Sequence, residues 1–482
     1  NGILNDNVTN STVAKKTISF RADSPVTIPA ATTDSSGKYT VSGLTAPHVP
    51  GLYFFDAKFR GDPLYNASST DSILIVSYAY TPSHDIAIQP SSYIVHINGT
   101  TVYARNTTTG VDEFKGGDAA RVINKAINAT QSGSIHISEG HYITKSTIRP
   151  KSDTQIIGDG INNTIFTPLE NRSLIVNAHP NDPTLDIGDR NIVLGNFTIN
   201  YEGVGGGDAI NLVSVEKSRI FQVRIENISR PSNAIEFDGC NNIIVESVQF
   251  FNIGGSAIQM SDSYTKWMTA NHKGSNNITV IDAYASNVGK ERKVAAFNAF
   301  TRDTAISGTN NITFTKILVE NSYSGFDFAK FGSGYKVIDA TILDSLSRGI
   351  AIRGMNNIIT NTTIFNTDSH GILASDSQNT TIRENTIFGS KGNNIAVTDS
   401  VDIKIINNTV GNKVASKSAF VSLTNTFRSS IEGTVILNNS QVPKYIVEEK
   451  GGSDYNKIVI SNQFTMPAKK VGAHTTISSG SG

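Results

Sequence analysis

Three residues with complementary chemistry lie about one repeat apart in the C-terminal half of the chain: Asp327, Arg348 and His370. A carboxylate, a guanidinium and an imidazole within about 5–10 Å of one another can bind an acidic sugar and remove its C5 proton, with the arginine neutralising the sugar carboxylate. These three residues are therefore the candidate catalytic group. Lys330 and Arg353 lie close by in the sequence and are candidate substrate-binding residues.

The elements that must position this group repeat about every 22 residues. In register, Ser347–Ile350 falls on Ser369–Ile372 and then on Gly392–Ile395. A period in the twenties, rich in Ile, Val, Thr and Asn, is typical of a parallel β-solenoid. Successive coils of such a solenoid lie about 4.8 Å apart, so side chains one period apart form stacked columns.

The same register predicts which side chains enter the core. The inward positions that we expect to stack are Ile210, Ile235, Ile258, Phe297, Phe326, Ile350, Ile372, Ile395 and Phe420. The outward position two residues earlier holds Asp208, Asn233, Ser256, Ser324, Arg348, His370 and Asn393. The outward position just after the core residue holds Asn211, Glu236, Gln259, Asn298 and Asp327. The chain therefore carries two polar columns, and the candidate catalytic group belongs to them.

Two neighbouring coils exceed the period by about a dozen residues each, which places insertions near 261–275 and 287–306. Long loops from adjacent coils project together and can wall a groove. The first insertion holds Tyr264 and Trp267, the only tryptophan of the chain, and both are candidate substrate-binding residues. Loops that only pack against the flank of the coils explain the insertions equally well.

Residues 116–450 carry the predicted solenoid, and residues 79–115 form a predicted connector with two strand-like runs. A short amphipathic helix is predicted after Asp118, where it would cover the open end of the first coil. The run Gly117–Tyr142, together with Ile156–Gly160, resembles the entrance to right-handed parallel β-helix proteins of the pectate-lyase-like superfamily. This resemblance implies an all-β main domain that is a right-handed parallel β-helix.

Residues 1–78 are predicted to form a small all-β module, because short alternating runs are separated by turn residues. The segments Thr33–Tyr39, Gly51–Tyr53, Phe59–Asp62 and Tyr65–Ser69 resemble the Ig-like repeats of prokaryotic surface proteins. The resemblance implies a small Ig-like β-sandwich. Such repeats open with an additional strand before the position of Gly2, so we expect this module to lack its first strand.

The C-terminal tail, residues 451–482, is predicted to supply a strand of that kind. Thr475, Thr476 and Ile477 lie in a Thr/Ser/Ile-rich run and are candidate assembly residues. A sheet with an unpaired edge accepts a strand from a neighbour, and a head-to-tail contact of this type generates an open fibre. The alternatives are that the tail is disordered or that the chain is a piece of a longer protein.

A further resemblance concerns the candidate catalytic group. Ser324–Asp327, followed two coils later by Asp368–Gly371, is similar to the active-site motif of bacterial alginate epimerases and related lyases. The family has Pro-His directly after the aspartate, where this chain has Phe328 and Ala329, and a further aspartate near the position of Arg353. The resemblance implies a uronan epimerase or lyase, and the two departures point away from that activity.

Composition excludes several classes of function. The 41 basic residues balance the 41 acidic ones, so nothing suggests a nucleic-acid partner. No apolar run approaches the length of a membrane span. Cys240 is the only cysteine, which we expect to be a buried filler, and no Cys/His cluster predicts a metal site or other cofactor.

Asn-x-Ser/Thr sequons are dense and favour a secreted or cell-surface protein that is N-glycosylated. The sixteen candidate glycosylation sites are Asn7, Asn10, Asn66, Asn98, Asn106, Asn128, Asn162, Asn171, Asn196, Asn227, Asn277, Asn311, Asn361, Asn379, Asn407 and Asn438. The motif Asn-Asn-Ile-Thr is also typical of β-solenoid turns, because stacked asparagines hydrogen-bond along the solenoid axis. With one cysteine, an archaeal or bacterial surface fits better than a disulfide-rich secreted protein.

Three functions fit these observations. The leading one is an extracellular structural protein, a glycosylated filament subunit whose partners are copies of itself. The second is a carbohydrate-active β-helix enzyme, a polysaccharide lyase or uronan epimerase. The third is a glycan-binding adhesin with a groove near Trp267. The sequence favours a non-enzymatic protein over an enzyme.

Overall fold

The computed structural model describes most of the chain. The residues outside the description are 1, 7–8, 10, 23–27, 43–50, 77–88, 131, 181–187, 203–206, 230, 263–273, 302–307, 413–418, 437–442, 462–467 and 481–482. The chain divides into two units, Asn1–Ser83 and His84–Gly482.

The first unit is built from two antiparallel sheets. The smaller sheet pairs the first strand (β1) with the fourth (β4), and the larger sheet has four strands in the order β3-β2-β5-β6. The strands are β1 Gly2–Ile3, β2 Thr17–Ala22, β3 Ala31–Thr32, β4 Lys38–Tyr39, β5 Gly51–Phe59 and β6 Ser68–Val76. Ile18, Tyr39, Ala57 and Phe59 form its buried core. The unit is thus all-β, in agreement with the predicted small sandwich.

The second unit begins with an antiparallel meander of three strands, a helix and four more strands. These elements are β7 Ser91–Asn98, β8 Thr101–Asn106, β9 Asp112–Gly116, α1 Ala119–Ala129, β10 Gly133–Ile137, β11 Gly140–Thr144, β12 Thr154–Gly158 and β13 Thr164–Pro168. The described part of the predicted connector, from residue 89 onward, forms β7, β8 and most of β9, and β7 pairs in parallel with β10 of the first coil. Its alternating apolar residues pack into the core of the second unit rather than facing water as linker residues would.

The coils follow as a long series of short parallel strands. They are β14 Ile175–Val176, β15 Val193–Asn200, β16 Ile210–Val213, β17 Glu216–Ile228, β18 Ile235–Asp238, β19 Asn241–Ile253, β20 Ile258–Ser261, β21 Asn276–Val288, β22 Ala295–Ala299, β23 Asn310–Glu320, β24 Ser324–Phe328, β25 Lys336–Ile338, β26 Thr341–Ser345, β27 Ile350–Met355, β28 Ile358–Thr360, β29 Thr363–Thr367, β30 Ile372–Gln378, β31 Thr381–Arg383, β32 Thr386–Ser390, β33 Ile395–Thr398, β34 Lys404–Ile406, β35 Thr409–Gly411, β36 Ala419–Thr424, β37 Ser430–Glu432, β38 Val435–Ile436, β39 Tyr445–Lys450, β40 Lys457–Ser461 and β41 Thr476–Gly480.

Among the described residues, one parallel sheet of eleven strands runs the length of the solenoid, in the order β14-β16-β18-β20-β22-β24-β27-β30-β33-β36-β39. The remaining strands of each coil belong to a larger sheet that closes the solenoid on its other sides. The predicted right-handed parallel β-helix is confirmed, with about eleven turns. We call the outward side of the eleven-stranded sheet the polar face.

The stacked core follows the predicted register along most of the solenoid. Ile210 pairs with Ile235, and the column continues without a slip to Ile395, every member being fully buried. At the next coil the prediction is wrong by one residue, because Ile395 aligns with Val421 rather than with Phe420. Val421 and Leu423 alternate inward opposite Ile395 and Val397, and this period of two sets the register.

The helix α1 closes the first end of the solenoid, as predicted. Asp118 is its N-cap: Oδ1 accepts hydrogen bonds from the backbone N–H of Ala120 at 3.2 Å and of Lys145 at 3.0 Å. The buried side of the helix consists of Ala119, Ala120, Val122, Ile123, Ala126 and Ile127. Among the described residues, α1 is the only helix, and its eleven residues are too few to cross a membrane.

The tail closes the other end, which differs from its predicted role. β41 pairs in parallel with β40 of the same chain, so Thr476 lies opposite Lys457 and Ile477 opposite Ile458. Thr475 is buried, and its hydroxyl donates to the Glu449 carboxylate at 2.9 Å.

Glu449 anchors this segment. It is fully buried, and it also accepts hydrogen bonds from the Asn456 amide at 2.8 Å and from the backbone N–H groups of Val471 and Gly472 at 3.0 and 3.3 Å. A buried carboxylate with several donors is well satisfied. The tail is therefore a built part of the last coil.

Candidate functional site

The polar face brings the two predicted columns side by side. Ile350 pairs with Ile372, so Arg348 and His370, each two residues earlier, occupy the same position of consecutive coils. Asp327 lies on the coil before them, in β24, and pairs with Ala351 of the next strand. The sequence register thus places Asp327, Arg348 and His370 on three consecutive coils, as expected.

Side-chain pairing divides this group. The Asp327 carboxylate accepts a hydrogen bond from Arg353 Nη1 at 2.5 Å, in an ion pair that is partly shielded from water. Lys330 forms an exposed ion pair with Asp376, Nζ to Oδ1, at 2.8 Å. Both basic residues that were predicted to bind substrate, Arg353 and Lys330, therefore already pair with a carboxylate of their own chain. The Asp327 oxygen that accepts from Arg353 is Oδ1.

Arg348 is different. Among the described residues it makes no ion pair, and its buried Nε has no hydrogen-bond partner. A cation that is partly removed from water without a counter-charge is unfavourable unless a ligand supplies one. The guanidinium therefore has the capacity to bind an anion in the two-pronged geometry typical of arginine.

His370 lies beside Arg348 and is neutral at physiological pH. Burial lowers the pKa of the His370 imidazole, and the positive charge of Arg348 lowers it further. The backbone N–H of Asn393 donates to His370 Nδ1 at 3.1 Å. Because Nδ1 accepts, the single proton of the neutral ring belongs on Nε2.

These contacts limit the chemistry of the predicted catalytic group. A general base needs a free lone pair within reach of the substrate proton. The lone pair of His370 is turned to Asn393, and the Asp327 carboxylate is held by Arg353. At Arg348 and His370 the arrangement therefore offers hydrogen-bond donors and positive charge to a ligand, while the Asp327 carboxylate is paired through one oxygen with Arg353.

A second cluster lies on the same face, five coils towards the N-terminus, and sequence reasoning did not single it out. Asp208 and Glu236 lie on neighbouring coils of the two columns and share a hydrogen bond. Asn233 and Gln259 donate side-chain amides to the Glu236 carboxylate at 2.8 and 3.1 Å. The signal was present in the columns, since Asp208 occupies the position of Arg348 and Glu236 that of Asp327.

The carboxyl pair holds a proton near neutral pH. Burial raises the pKa of Asp208 to about 7, and the negative charge of Glu236 adds to the effect. Burial, followed by the charge of Asp238, also raises the pKa of Glu236. Two carboxyl groups this close cannot both ionise easily, so Asp208 keeps the proton and donates it to Glu236.

Several predicted site residues have other outcomes. Tyr264 and Trp267 lie outside the described residues, so their part in a groove stays a prediction. Within the described part of the chain, no group of three or more His, Cys, Asp or Glu residues is arranged to hold a metal ion. Cys240 is fully buried, and its thiol donates to the Leu212 carbonyl at 3.1 Å.

The sequons that the structure describes differ in their surroundings. Some take part in asparagine ladders: the Asn277 amide donates to Asn241, and the Asn311 amide donates to Asn277, each at 3.2 Å. Asn98, by contrast, lies exposed at the tip of the β7–β8 hairpin. Glycosylation stays a prediction for all sixteen, of which three lie outside the described residues: Asn7, Asn10 and Asn438.

Comparison with known proteins supports the fold. Residues 208–410 match the family described as right handed beta helix region. The chain is similar to the A-module of the mannuronan C-5 epimerase AlgE4 of Azotobacter vinelandii, with 15% identity and a TM-score of 0.53, over 75% of this chain and 96% of that module. No curated protein matches in sequence.

Other solved structures share the architecture. Gene product 12 of bacteriophage phi29, in its pre-mature form, has a TM-score of 0.59 at 15% identity over 75% of this chain and 54% of its own length. The Agl-KA catalytic domain has a TM-score of 0.50 at 13% identity, over 86% of this chain and 71% of that domain. At such identities the likeness concerns the fold alone.

Proposed function

We propose that this protein is a glycan-binding β-helix protein of the cell exterior that takes an acidic polysaccharide along its polar face. The observation that carries the proposal is the unpaired guanidinium of Arg348 beside a neutral histidine that can only donate. A carboxylate or sulfate group of a sugar supplies the missing counter-charge. The rise of about 4.8 Å per coil provides a row of polar positions along which a linear chain can lie.

Two further facts fit this function. The epimerase module with the same fold acts, by its name, on mannuronan, which is an acidic polysaccharide. The density of sequons favours a surface location. Binding rather than turnover is proposed for this site because both bases expected there, Asp327 and His370, are engaged by Arg353 and Asn393.

The test is binding of matched oligosaccharides to the whole chain by calorimetry at low and at physiological salt. A uronate hexamer and a sulfated hexamer are the ligands, and the methyl-esterified uronate hexamer is the neutral control. The expected result is binding of the two anionic chains and at least about tenfold weaker binding of the ester, since a charge-assisted hydrogen bond contributes about 1.5–3 kcal/mol. Equal affinity for the ester and the acid would overturn the proposal.

A second candidate function rests on the carboxyl pair. Asp208 and Glu236 form a hydrogen-bonded carboxyl pair that holds a proton near neutral pH, and such a pair can exchange a proton with a bound glycan. Release of reducing ends or of unsaturated products from a polysaccharide panel, lost in Glu236→Gln, would support this enzyme. Absence of both products across neutral and acidic polysaccharides would leave binding as the function.

Filament assembly by strand donation is not our leading proposal. The tail that was expected to leave the chain pairs with β40 and is anchored by Glu449. Donation would require release of these contacts.

A further inference from the structure

His370 packs against a peptide group of the next coil, and a glycine makes this contact possible. A Cβ atom at Gly392 would lie 2.8 Å from His370 Nδ1 and 3.1 Å from Cε1. It would also lie 3.0 Å from the Ser369 carbonyl oxygen. A carbon atom so near the ring nitrogen forces the imidazole to move, so Gly392 is required for space.

The following residue fixes the proton of the ring. The backbone N–H of Asn393 points at His370 Nδ1, and the Asn393 side chain is itself held on the next coil. Its amide donates to the Ala419 carbonyl at 2.6 Å, and its oxygen accepts from the Ser422 hydroxyl at 3.2 Å. The donor therefore has little freedom to turn away from the ring.

We propose that the Gly392–Asn393 peptide locks His370 as a donor at Nε2, so that Arg348 and His370 form a donor-only clamp for an oxyanion of the glycan. The proposal rests on the proposed function and adds Gly392 as a positioning residue that sets specificity. A site with donors alone favours carboxylate or sulfate oxygens. A sugar hydroxyl, which also has a proton to give, finds no acceptor on these two side chains.

The lock also makes the clamp insensitive to mild acid. A second proton on the ring would lie on Nδ1 and face the backbone N–H of Asn393. Two hydrogen-bond donors would then oppose each other, which is unfavourable. The charged groups nearby are Arg348 on the preceding coil and the ion pair of Asp368 with Lys391, whose members lie two residues before His370 and Asn393. The lowered pKa of His370 keeps the ring neutral at neutral pH, so anion affinity should stay constant between about pH 7 and pH 8.

The first experiment reads the tautomer directly. In protein labelled with ¹⁵N-histidine, long-range ¹H–¹⁵N spectra distinguish a protonated ring nitrogen from an unprotonated one. We expect His370 to carry its proton on Nε2 in the absence of ligand, and a proton on Nδ1 would overturn the proposal. This result does not depend on any glycan binding, so failure of the lock and failure of the proposed function are distinguishable.

The second experiment tests Gly392. Gly392→Ala should raise the pKa of His370, mix its tautomers and make affinity for the uronate hexamer change with pH. Gly452→Ala is the matched control, because a Cβ there meets its nearest neighbour only at 3.7 Å. An unchanged His370 spectrum and a flat pH profile in folded Gly392→Ala would contradict the proposal.

If Gly392→Ala does not fold, two variants of the histidine itself decide. His370→Gln keeps an N–H donor near the place of Nε2 and should bind the uronate hexamer within about threefold of the parent. His370→Glu replaces the donor with a negative charge and should lose at least about tenfold. Equal loss in both variants would show that the donor is not what the ligand uses.

Discussion

Asp208 and Arg348 occupy the same position of the coil, two residues before a stacked core residue, yet they create opposite sites. Five coils separate them, about 24 Å at the spacing of parallel strands. At the first, two carboxyl groups share a proton and are surrounded by amides. At the second, a guanidinium has no counter-charge and stands beside a neutral histidine.

The difference shows how a β-helix separates fold from function. The inward residue of each coil is apolar throughout the column, so the scaffold under the two sites is the same. The outward residues differ in type from coil to coil, from Asp208 at one end to Arg348 and His370 at the other. The side-chain charge of the polar face therefore changes from coil to coil along the solenoid axis. A linear ligand contacts a surface whose charge differs from one end to the other.

The largest expected effect on ligand binding comes from substitution of Arg348. Arg348→Ala should weaken binding of the uronate hexamer by about 30–100-fold, because it removes the charge-assisted hydrogen bonds of the clamp. Calorimetry of the full chain measures this. Arg428→Ala is the control, since Arg428 is an exposed arginine paired with Asp402 elsewhere on the solenoid.

Asp208→Asn should leave that affinity within about twofold if the two ends are separate sites. A loss of affinity as large as that of Arg348→Ala would show that Asp208 and Arg348 belong to one binding site. Retained affinity in Arg348→Ala would remove the basic end from the proposal altogether.

The carboxyl pair of Asp208 and Glu236 should make the free energy of unfolding depend on pH. The folded-state pKa of Asp208 is raised to about 7, so its contribution to the free energy of unfolding is present below the unfolded pKa and is lost as pH rises through 7. Asp208→Asn removes this loss. Relative to the parent, the variant should gain about 2–3 kcal/mol between pH 5 and pH 8, measured by urea unfolding.

A residual slope from Glu236 should remain in Asp208→Asn, because the pKa of Glu236 is also raised. Asp402→Asn, at a carboxylate that pairs with Arg428 on another part of the solenoid, is the control. Identical pH slopes for the parent and Asp208→Asn would mean that the pair holds no proton at neutral pH.

The smallest effect tests the ion pair that borders the clamp. Arg353→Ala leaves the Asp327 carboxylate without its partner, on the coil next to Arg348. The exposed negative charge should weaken binding of the uronate hexamer by about three- to fivefold. Asp327→Asn in the same background should restore it, and a double-mutant cycle measures the coupling.

If Arg353→Ala instead turns the chain into an epimerase or lyase, Asp327 is a base that Arg353 suppresses. Product assays on the uronate hexamer, run beside the binding measurement, distinguish this outcome. Such activity would support the enzymatic interpretation of the candidate catalytic group, Asp327, Arg348 and His370.

The repeating part of the molecule was readable from sequence because its rules are local. Ile350 and Ile372 recur at the coil period, and alternation within each strand sends them inward. The cap of α1 was equally local, since Asp118 precedes a helical run of apolar residues. The slip at Phe420 occurred where a coil of unusual length broke the period, and only strand pairing could place Val421.

The two ends of the chain were less readable. A Thr/Ser/Ile-rich run such as Thr475–Ile477 predicts a strand and says nothing about which edge it will join. The buried carboxylate of Glu449, with its four donors, ties this run to the last coil. Nothing in the local sequence around Glu449 indicates that role.

By itself, the sequence determined the architecture, the stacked core and the two columns that hold Asp327, Arg348 and His370. These follow from period and alternation, which act along the chain. The tertiary structure alone decided that Asp327 pairs with Arg353, that Asn393 fixes the proton of His370 and that Asp208 shares one with Glu236. Such pairings depend on side-chain directions across neighbouring coils and on removal from water, and neither is encoded in the spacing of residue types.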